Sequence, residues 1–477
     1  MTEAADIFDY LEWRGDVSFE ASPFNNVDGI ILSRLAYIPL EIYFENNGGK
    51  FEKLKKVVDN LLDYPGIEEH LLEKPDKQLL LALSESRRFC EIKIGNFRNV
   101  FDVERQIQFA ACIVKIKSNL NVVVYRGTDN TLIAWKENFN MGFICPLESQ
   151  KLALDFFVKY AKRHVGEFIL AGHSKGGNLA VYAGAYADES IQKRITAIYD
   201  YDGPGFMNTI LESKEYKRIY KKICLYVPKD SIVGMILGHR EPYTVIKTKK
   251  TNAVAEHDIY SWYVHVTDFV LESEVSRASN YFNETLKEWL FNMSVTEREH
   301  FVEAGYNLFK ETNCRTVSEL QSNWFSNTKS ISRTLKNMDE ETRKNLAYGI
   351  SVLLKSAKPK TKEKSSSLMN DREEKLLLNE KDEIGKKQNV KRVKRRTVEN
   401  ALTDVTNVNI ESDGKNDNEK SVKDMKSVAA VIINRIETTK DSIIKGNKED
   451  TPSRENKDLV IKKKDDSKPN GGNRKNK

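Results

Sequence analysis

The sequence predicts an α/β fold with a mainly parallel central sheet, because strand-like and helix-like segments alternate through about the first 274 residues. Two further observations agree with this prediction. A glycine-flanked turn at 172–176 joins a strand-like run to a helical one. Hydrophobic residues make up 40% of the 477 residues, which is enough for a sizeable core.

The individual elements follow from short patterns. The predicted strands are apolar runs bounded by polar or turn-forming residues, and they cover 106–116, 122–125, 167–171, 195–199 and 223–227. The predicted helices between them repeat apolar residues at helical spacing, and they cover 152–163 and 177–187. Strands separated by helices in this way are typical of parallel pairing.

A small helical extension is predicted over 275–355. Four apolar side chains fall on one helix face, at Phe282, Leu286, Trp289 and Leu290. Capping boxes are expected to open the next two helices, at Ser294 with Glu297 and at Thr316 with Glu319. We therefore divide the chain into an α/β domain over 1–274, a helical extension packed on it over 275–355, and a tail over 356–477.

The tail differs in composition from the rest of the chain. It carries 31 Lys and Arg against 22 Asp and Glu, and it contains no Phe, Trp, Tyr, His or Cys. Such a segment buries too little apolar area to offset its ordering entropy, so we predict disorder. One interpretation of the basic cluster 391–396 is an ordinary solvated run. The alternative is that it contacts an anionic membrane surface, and contact with nucleic acid is a weaker alternative. Short apolar patches at 376–378 and 428–433 are candidate partner-binding helices.

Composition also argues against several classes of protein. No run of about 18 apolar residues is present, so no transmembrane segment is predicted. The N-terminal segment is acidic and shows no secretory signal, and the five cysteines lack disulfide or metal-ligand spacing. The expected location is the cytoplasm, with peripheral membrane contact if the tail binds lipid. Neither a metal nor an organic cofactor is expected.

The motif with a clear chemical meaning is Gly172-His-Ser-Lys-Gly176, a G-x-S-x-G pentapeptide between a strand and a helix. A sharp, strained turn at this point raises the serine hydroxyl above the sheet, and flanking glycines permit the close backbone approach that it requires. The N-terminus of the following helix favours negative charge that develops at the serine. Ser174 is therefore predicted to be a nucleophile.

A nucleophilic serine needs a histidine base and a carboxylate, which follow it in this order in the chain. Two aspartates stand at strand ends, and we favour Asp230 after 223–227 over Asp202 after 195–199. His257 is favoured as the base because it lies on a polar loop between segments. Three other histidines follow Asp230. His239 is close in sequence to that aspartate, His265 lies in an apolar run and His300 lies in a helical pattern.

An oxyanion hole needs two backbone N–H donors near the nucleophile. Lys175 supplies one, as the residue after the serine. Thr128 supplies the other, in a turn that follows the strand-like run 122–125 and contains Gly127. The alternative interpretation of this second segment is an ordinary polar turn.

Two of these segments resemble the pattern of class 3 lipases, which have an aromatic-R-G-S/T loop followed by G-H-S-x-G-G. They are Tyr125–Thr128 and Gly172–Gly177. The chain is more closely similar to a bacterial family of lipase-like α/β-hydrolases, domain of unknown function 2974. The similarity covers about 17–355, and it is carried by Ser22–Asn25, Arg126–Asp129, Trp135–Glu137, Gly172–Leu179, Asp202–Phe206, Asp230–Gly234 and His257–Trp262.

The resemblance implies a lipase-like α/β-hydrolase fold with Ser174, Asp230 and His257 as a catalytic triad. It also implies that Thr128 and Lys175 donate to the oxyanion. Class 3 lipases carry their acid in a similar D-x-V segment, which favours Asp230. One departure is Lys175, where those lipases have a bulky apolar residue. We expect its side chain to place a positive charge near the acyl pocket and to suit an anionic substrate.

The sequence therefore predicts a serine hydrolase that cleaves carboxylic esters, above all acyl esters of lipids. A thioesterase or an amidase could use the same residues, since a triad does not fix the leaving group. The alternative from another class is a non-enzymatic binding or scaffold protein on a hydrolase fold, with a tail that binds anionic partners. The complete set of serine, carboxylate, histidine and N–H donors argues against that alternative.

Overall fold

The computed structural model describes residues 5–129, 131–250, 253–310, 333 and 337–356. Its strands are β1 (Glu52–Lys53), β2 (Lys93–Asp102), β3 (Ile107–Lys117), β4 (Leu120–Tyr125), β5 (Glu167–His173), β6 (Ile195–Tyr201), β7 (Ile223–Pro228), β8 (Tyr243–Ile246), β9 (Val264–His265) and β10 (Asp268–Phe269).

The α-helices of the described ranges lie before, between and after these strands. They are α1 (Ile7–Arg14), α2 (Asn26–Leu35), α3 (Glu41–Asn47), α4 (Leu54–Leu62), α5 (Ile67–His70), α6 (Asp76–Glu85), α7 (Leu132–Asn140), α8 (Glu148–Arg163), α9 (Lys175–Tyr186), α10 (Glu189–Gln192), α11 (Asn208–Leu211), α12 (Lys214–Ile219), α13 (Ala253–Glu256), α14 (Arg277–Phe291), α15 (Val295–Lys310) and α16 (Glu340–Ser356).

The central sheet follows the chain in order, from β1 at one edge to β8 at the other. Neighbours from β1 to β4 are antiparallel, and neighbours from β4 to β8 are parallel. The five predicted strands form β3 to β7, so the expectation of an α/β fold with a mostly parallel sheet is confirmed. The sequence did not reveal β1, β2 and β8, which lie towards the edges and are short or partly exposed, so their apolar pattern is weak.

Helices cover both faces of the sheet for a topological reason. From β4 to β7, each parallel strand lies next to the preceding one and always on the same side of it. Right-handed crossovers between these strands therefore place α8, α9 and α12 on a single face of the sheet. The N-terminal helices α1 to α4 and α6 cover the opposite face. Alternate residues of β3 enter the two cores, with Phe109 and Ile113 on the α8–α9 side and Cys112 and Val114 on the other.

The carboxyl ends of β4, β5 and β6 meet at one edge of the sheet. Tyr125 pairs with Gly172, and His173 pairs with Tyr201, so the three strands end nearly level. The turns that follow them begin at Arg126, Ser174 and Asp202. These three turns therefore open on the same side of the molecule, which is where α/β proteins place their ligand sites.

The helices after the α/β region pack together and against α7. Trp289, Met293 and Val352 form a small apolar core between α14 and α16. Arg298 of α15 donates from Nη1 to the carbonyl oxygen of Gly142 at 2.9 Å. The boundary between the α/β domain and this extension stays a prediction.

One of the two predicted capping boxes lies in the described part of the chain, and it is confirmed. The backbone N–H of Ser294 donates to Glu297 Oε2 at 2.8 Å, and the N–H of Glu297 donates to Ser294 Oγ at 3.2 Å. The box predicted at Thr316 and the features predicted for the tail lie outside the described residues. Among the helices that are described, none is both long and apolar enough to cross a membrane.

Candidate active site

Ser174 occupies a sharp turn between β5 and α9. Its backbone has a positive φ of 57° with a ψ of −136°, a strained conformation for a residue with a side chain. The flanking glycine is required, because a Cβ on Gly172 would lie 2.1 Å from the carbonyl carbon of Gly176. The N–H of Ser174 donates to Tyr201 O at 2.9 Å and ties the turn to β6. The serine is thus held at the sheet edge by its local backbone.

The turn after β4 packs directly on the Ser174 turn. A Cβ on Gly127 would lie 2.5 Å from His173 O and 3.1 Å from Ser174 Cβ, so only glycine allows this approach. The next residue, Thr128, accepts a hydrogen bond at its Oγ1 from Asn138 Nδ2 of α7, at 2.7 Å. Among the described residues, the backbone N–H groups of Thr128 and Lys175 have no acceptor. Both N–H groups are therefore available to an acceptor atom of a ligand.

His257 forms a close pair with Asp202 beside this turn. Its Nδ1 lies 2.6 Å from Asp202 Oδ2, and the aspartate side chain is fully buried while the histidine is 22% exposed. An Nδ1–H that donates to a carboxylate leaves Nε2 as the basic nitrogen, which is the tautomer of a general base. Within the described residues no hydrogen bond joins Ser174 Oγ to this ring, and such bonds commonly shorten only when substrate binds.

Asp202 is itself fixed by its surroundings. Its backbone is left-handed, with φ 54°, where the chain turns sharply after β6. Its Oδ1 accepts hydrogen bonds from Ser231 Oγ at 2.5 Å and from the N–H of Gly234 at 3.1 Å. Two donors and one histidine thus hold the carboxylate in a single orientation.

The carboxylate that pairs with His257 is that of Asp202, and not that of Asp230 as the sequence predicted. The backbone N–H of Asp230 donates to Glu256 Oε2 at 2.8 Å, and in the described part of the chain its own carboxylate has no hydrogen bond to His257. The physical reason is strand order. β6 is the immediate neighbour of the Ser174 strand, whereas β7 lies one strand further away, at about 4.8 Å per strand. The 230–234 segment contributes instead by holding Asp202.

The expectation for the Lys175 side chain is wrong. The side chain is fully buried, and its Nζ lies 2.8 Å from Glu137 Oε2, 2.8 Å from Gln108 Oε1 and 2.9 Å from Gln108 O. Its charge is therefore compensated in the interior between α9, α7 and β3. A substrate with negative charge is not favoured by this residue. The backbone N–H of Lys175 is unaffected by this correction.

Two carboxyl groups close to the pair are strongly influenced by burial. Burial raises the pKa of Glu256 to about 7, and the charges of Asp230 and Asp202 act in the same direction. Burial also raises the pKa of Asp200 well above its ordinary value, and its Oδ2 has no hydrogen-bond partner among the residues that the structure describes. Both shifts favour protonation more than in an ordinary carboxyl group.

The remaining downstream histidines do not approach Ser174 through any described contact. His239 donates from Nε2 to Gly234 O at 2.9 Å, so it supports the segment that holds Asp202. His265 is exposed in β9, although it lies in an apolar run of the sequence, and His300 is exposed on α15. The described residues contain no cluster of three or more His, Cys, Asp or Glu that could hold a metal ion.

The fold and the site together resemble one class of protein. A serine on a strained strand–turn–helix, a histidine–aspartate pair and two open N–H donors at one sheet edge are typical of α/β serine hydrolases. In agreement, the family model described as Mbeg1-like matches residues 83–309, a range that includes Ser174, Asp202 and His257. That family is lipase-like, which supports a hydrolase at this coarse level. Neither the curated proteins nor the solved structures gave a match.

Proposed function

We propose that this protein is a serine hydrolase that cleaves carboxylic esters, above all acyl esters of lipids, with Ser174, His257 and Asp202 as its triad. The observation that carries the proposal is the 2.6 Å His257–Asp202 pair beside a strained serine turn. The rings of His173 and His257 lie 4.4 Å apart, so the base is next to the turn that carries the nucleophile. The lipase-like family match supports the same class.

The chemistry follows from the position of each group. Ser174 Oγ attacks the ester carbonyl carbon while His257 Nε2 takes its proton, and Asp202 stabilises the imidazolium that forms. The N–H groups of Thr128 and Lys175 bind the tetrahedral oxyanion. When the carbon–oxygen bond breaks, His257 gives the proton to the departing alcohol. Water then attacks the acyl-enzyme with His257 as base, and the carboxylic acid and free serine are released.

The lipase-like family match is the observation that favours acyl esters of lipids over other esters. The Lys175 charge is compensated by Glu137 in the interior, so it does not favour a charged ester.

Labelling with a fluorophosphonate probe and turnover of soluble p-nitrophenyl esters test the proposal. Ser174→Ala is expected to remove both while the melting temperature stays nearly unchanged, because a single hydroxyl contributes little packing. Ser174→Ala, His257→Ala and the double variant should lose similar amounts of activity, since triad residues act as a unit. Ser213→Ala, at the start of α12, is the matched control and should keep labelling and turnover.

Two outcomes would contradict the proposal. Labelling that persists in Ser174→Ala would assign the nucleophile to another residue. A native protein that neither reacts with the probe nor turns over any of a graded series of esters and phospholipids would favour the binding or scaffold alternative. In that series, a preference for longer acyl chains is the expected result.

A further inference from the structure

His173 immediately precedes the proposed nucleophile, at the end of β5, and its ring is directed towards the loop of the proposed base. The side chain is buried, at 6% exposure. Its Nε2 lies 2.9 Å from the backbone carbonyl oxygen of His257, and the two rings are 4.4 Å apart at an angle of 32°. Since a carbonyl oxygen can only accept, Nε2 of His173 must carry the proton of this hydrogen bond.

The opposite side of the His173 ring is held by a tyrosine. Tyr37 Oη lies 3.3 Å from Nδ1 of His173 and 3.2 Å from its carbonyl oxygen. With the proton on Nε2, Nδ1 is an acceptor, so the tyrosine hydroxyl donates to this pair of atoms. Burial raises the pKa of Tyr37 above its usual range, which keeps the hydroxyl protonated. Burial, together with the nearby His257, lowers the pKa of His173 well below 6.5 and keeps it neutral.

The same tyrosine touches the turn that carries an oxyanion donor. A Cβ on Gly127 would lie 2.0 Å from Tyr37 Oη, so the hydroxyl packs against the backbone of that turn. Tyr37 and His173 therefore connect three segments that the proposed reaction uses together. These segments are the oxyanion turn, the nucleophile turn and the loop of the base.

We infer that His173 is a positioning residue for His257, in that its Nε2–H holds the carbonyl of His257 and keeps the base ring between Asp202 and Ser174. The inference rests on the proposed function for its catalytic meaning, but the contact itself exists without it. Asp202 fixes the ring of His257 from one side, and His173 fixes its backbone from the other. Without the second contact, the carbonyl would lack its donor and the ring could turn away from Ser174.

Two variants of His173 separate the hydrogen bond from the bulk of the side chain. Gln places an N–H near the position of Nε2, whereas Leu fills similar space without a donor. With a soluble ester, His173→Leu is expected to lower kcat at least about tenfold with KM changed less than about twofold, and His173→Gln to retain kcat within about threefold. His164→Leu is the matched control, because its ring also contacts a backbone carbonyl, Tyr160 O, at 3.0 Å, away from the site.

A spectroscopic measurement tests the positioning without relying on activity. The Nδ1–H of His257, bonded to Asp202, should give a far-downfield proton resonance, which Asp202→Asn identifies by its loss. The resonance should persist in His173→Gln and His164→Leu and broaden away in His173→Leu. A folded His173→Leu variant with native kcat and an unchanged resonance would overturn the inference. If His173→Leu does not fold, His173→Asn takes its place, because its amide is polar but too short to reach the carbonyl oxygen of His257. The kcat and the resonance of His173→Asn are then compared with those of His173→Gln.

The two proposals fail in different ways. An absence of fluorophosphonate labelling in the native protein would reject the serine hydrolase, whereas the dependence of the resonance on residue 173 would still be measured. Labelling that requires Ser174, combined with a resonance that ignores residue 173, would reject only the role of His173.

Discussion

Asp202 and Asp230 offer a sharp test at the scale of single residues. Both oxygens of Asp202 are occupied, one by His257 and the other by Ser231 and Gly234, so an amide at this position cannot satisfy the same contacts. We expect Asp202→Asn to lower kcat on the order of 10⁴-fold, as the same change does in the serine protease triad, because His257 is forced into the wrong tautomer. Steady-state kinetics on a soluble ester measures this.

Asp230→Asn is the matched control for that change. Since Asp230 contacts Glu256 through its backbone N–H, an asparagine keeps the contact, and kcat should stay within about threefold of the native value. A ranking in which Asp230→Asn is the more damaging variant would return the acid role to Asp230.

Glu256 provides a prediction about pH. It is 3% exposed, and burial raises its pKa from 4.5 to about 7, so the native state holds its proton more tightly than the unfolded chain does. The stabilising contribution is therefore complete below about pH 4.5 and is lost as the pH rises through about 7. Glu256→Gln is neutral throughout, so its stability relative to the native protein should increase from pH 5 to pH 8 by up to about 3 kcal/mol.

Urea unfolding at a series of pH values measures this difference. Glu274→Gln, which changes an exposed carboxylate, is the control and should show no such trend. Parallel stability profiles for Glu256→Gln and the native protein would show that Glu256 is not protonated more readily in the folded state.

Single residues also show what the sequence can reveal about the site. Ser174 was predictable because a glycine-flanked serine between a strand and a helix is a local pattern, and the structure shows the strained turn that this pattern requires. The choice between Asp202 and Asp230 was not local, since both follow strands and only the order of strands in the sheet decides which one meets His257. The direction of the Lys175 side chain likewise depends on Glu137, on a separate helix.

At the scale of elements, α7 connects the turn at Gly127 and Thr128 to α9, the helix that follows Ser174. It carries Asn138, which bonds to Thr128, and Glu137, which pairs with Lys175 at the start of α9. Because both partners of the Glu137–Lys175 pair are buried, Glu137→Ala leaves an uncompensated charge in the interior. We expect a loss of about 3–5 kcal/mol in the free energy of unfolding, measured by urea denaturation.

Two comparisons make the result for α7 specific. Glu148→Gln removes the partner of both Lys151 and Arg105 in exposed pairs and should cost no more than about 1 kcal/mol. Glu137→Leu combined with Lys175→Met removes both charges and should recover much of the loss. Equal stability of Glu137→Ala and Glu148→Gln would mean that the interior pair contributes nothing beyond a surface contact.

The sequence predicted some strands of the sheet and missed others for a physical reason. The strands β3 to β7 were visible in the sequence because they are buried on both faces and consist largely of apolar runs. β2 has exposed positions along much of its length, so its apolar pattern is interrupted. Sequence patterns therefore reveal the centre of this sheet better than its edges.

At the scale of the whole molecule, truncation after Ser356 tests the predicted tail. Residues 357–477 contain no aromatic side chain, so they can add few buried contacts to a core. We expect the truncated protein to keep soluble-ester activity and its melting temperature. A large drop in either quantity would show that the tail packs on the rest of the protein, and the boundary at 355 would be wrong.

The same truncation tests the proposed contact with anionic membranes. The basic cluster 391–396 contains five Lys or Arg residues, and each could add about 1 kcal/mol of attraction near an anionic surface. Full-length protein should sediment with vesicles that contain phosphatidylserine at low salt, less at high salt, and truncated protein should not. Equal sedimentation of the two proteins would exclude the tail as the membrane contact.

The order of strands in the sheet has a consequence for synthesis on the ribosome. Because each strand from β1 to β8 pairs with the one made just before it, the growing chain can extend the sheet in the order in which residues emerge. Ser174 then reaches its turn while Asp202 and His257 are still to be made. If the proposed triad is correct, the nascent protein holds a serine without a base until residue 257 has emerged, so hydrolytic activity begins only after the whole sheet has been translated.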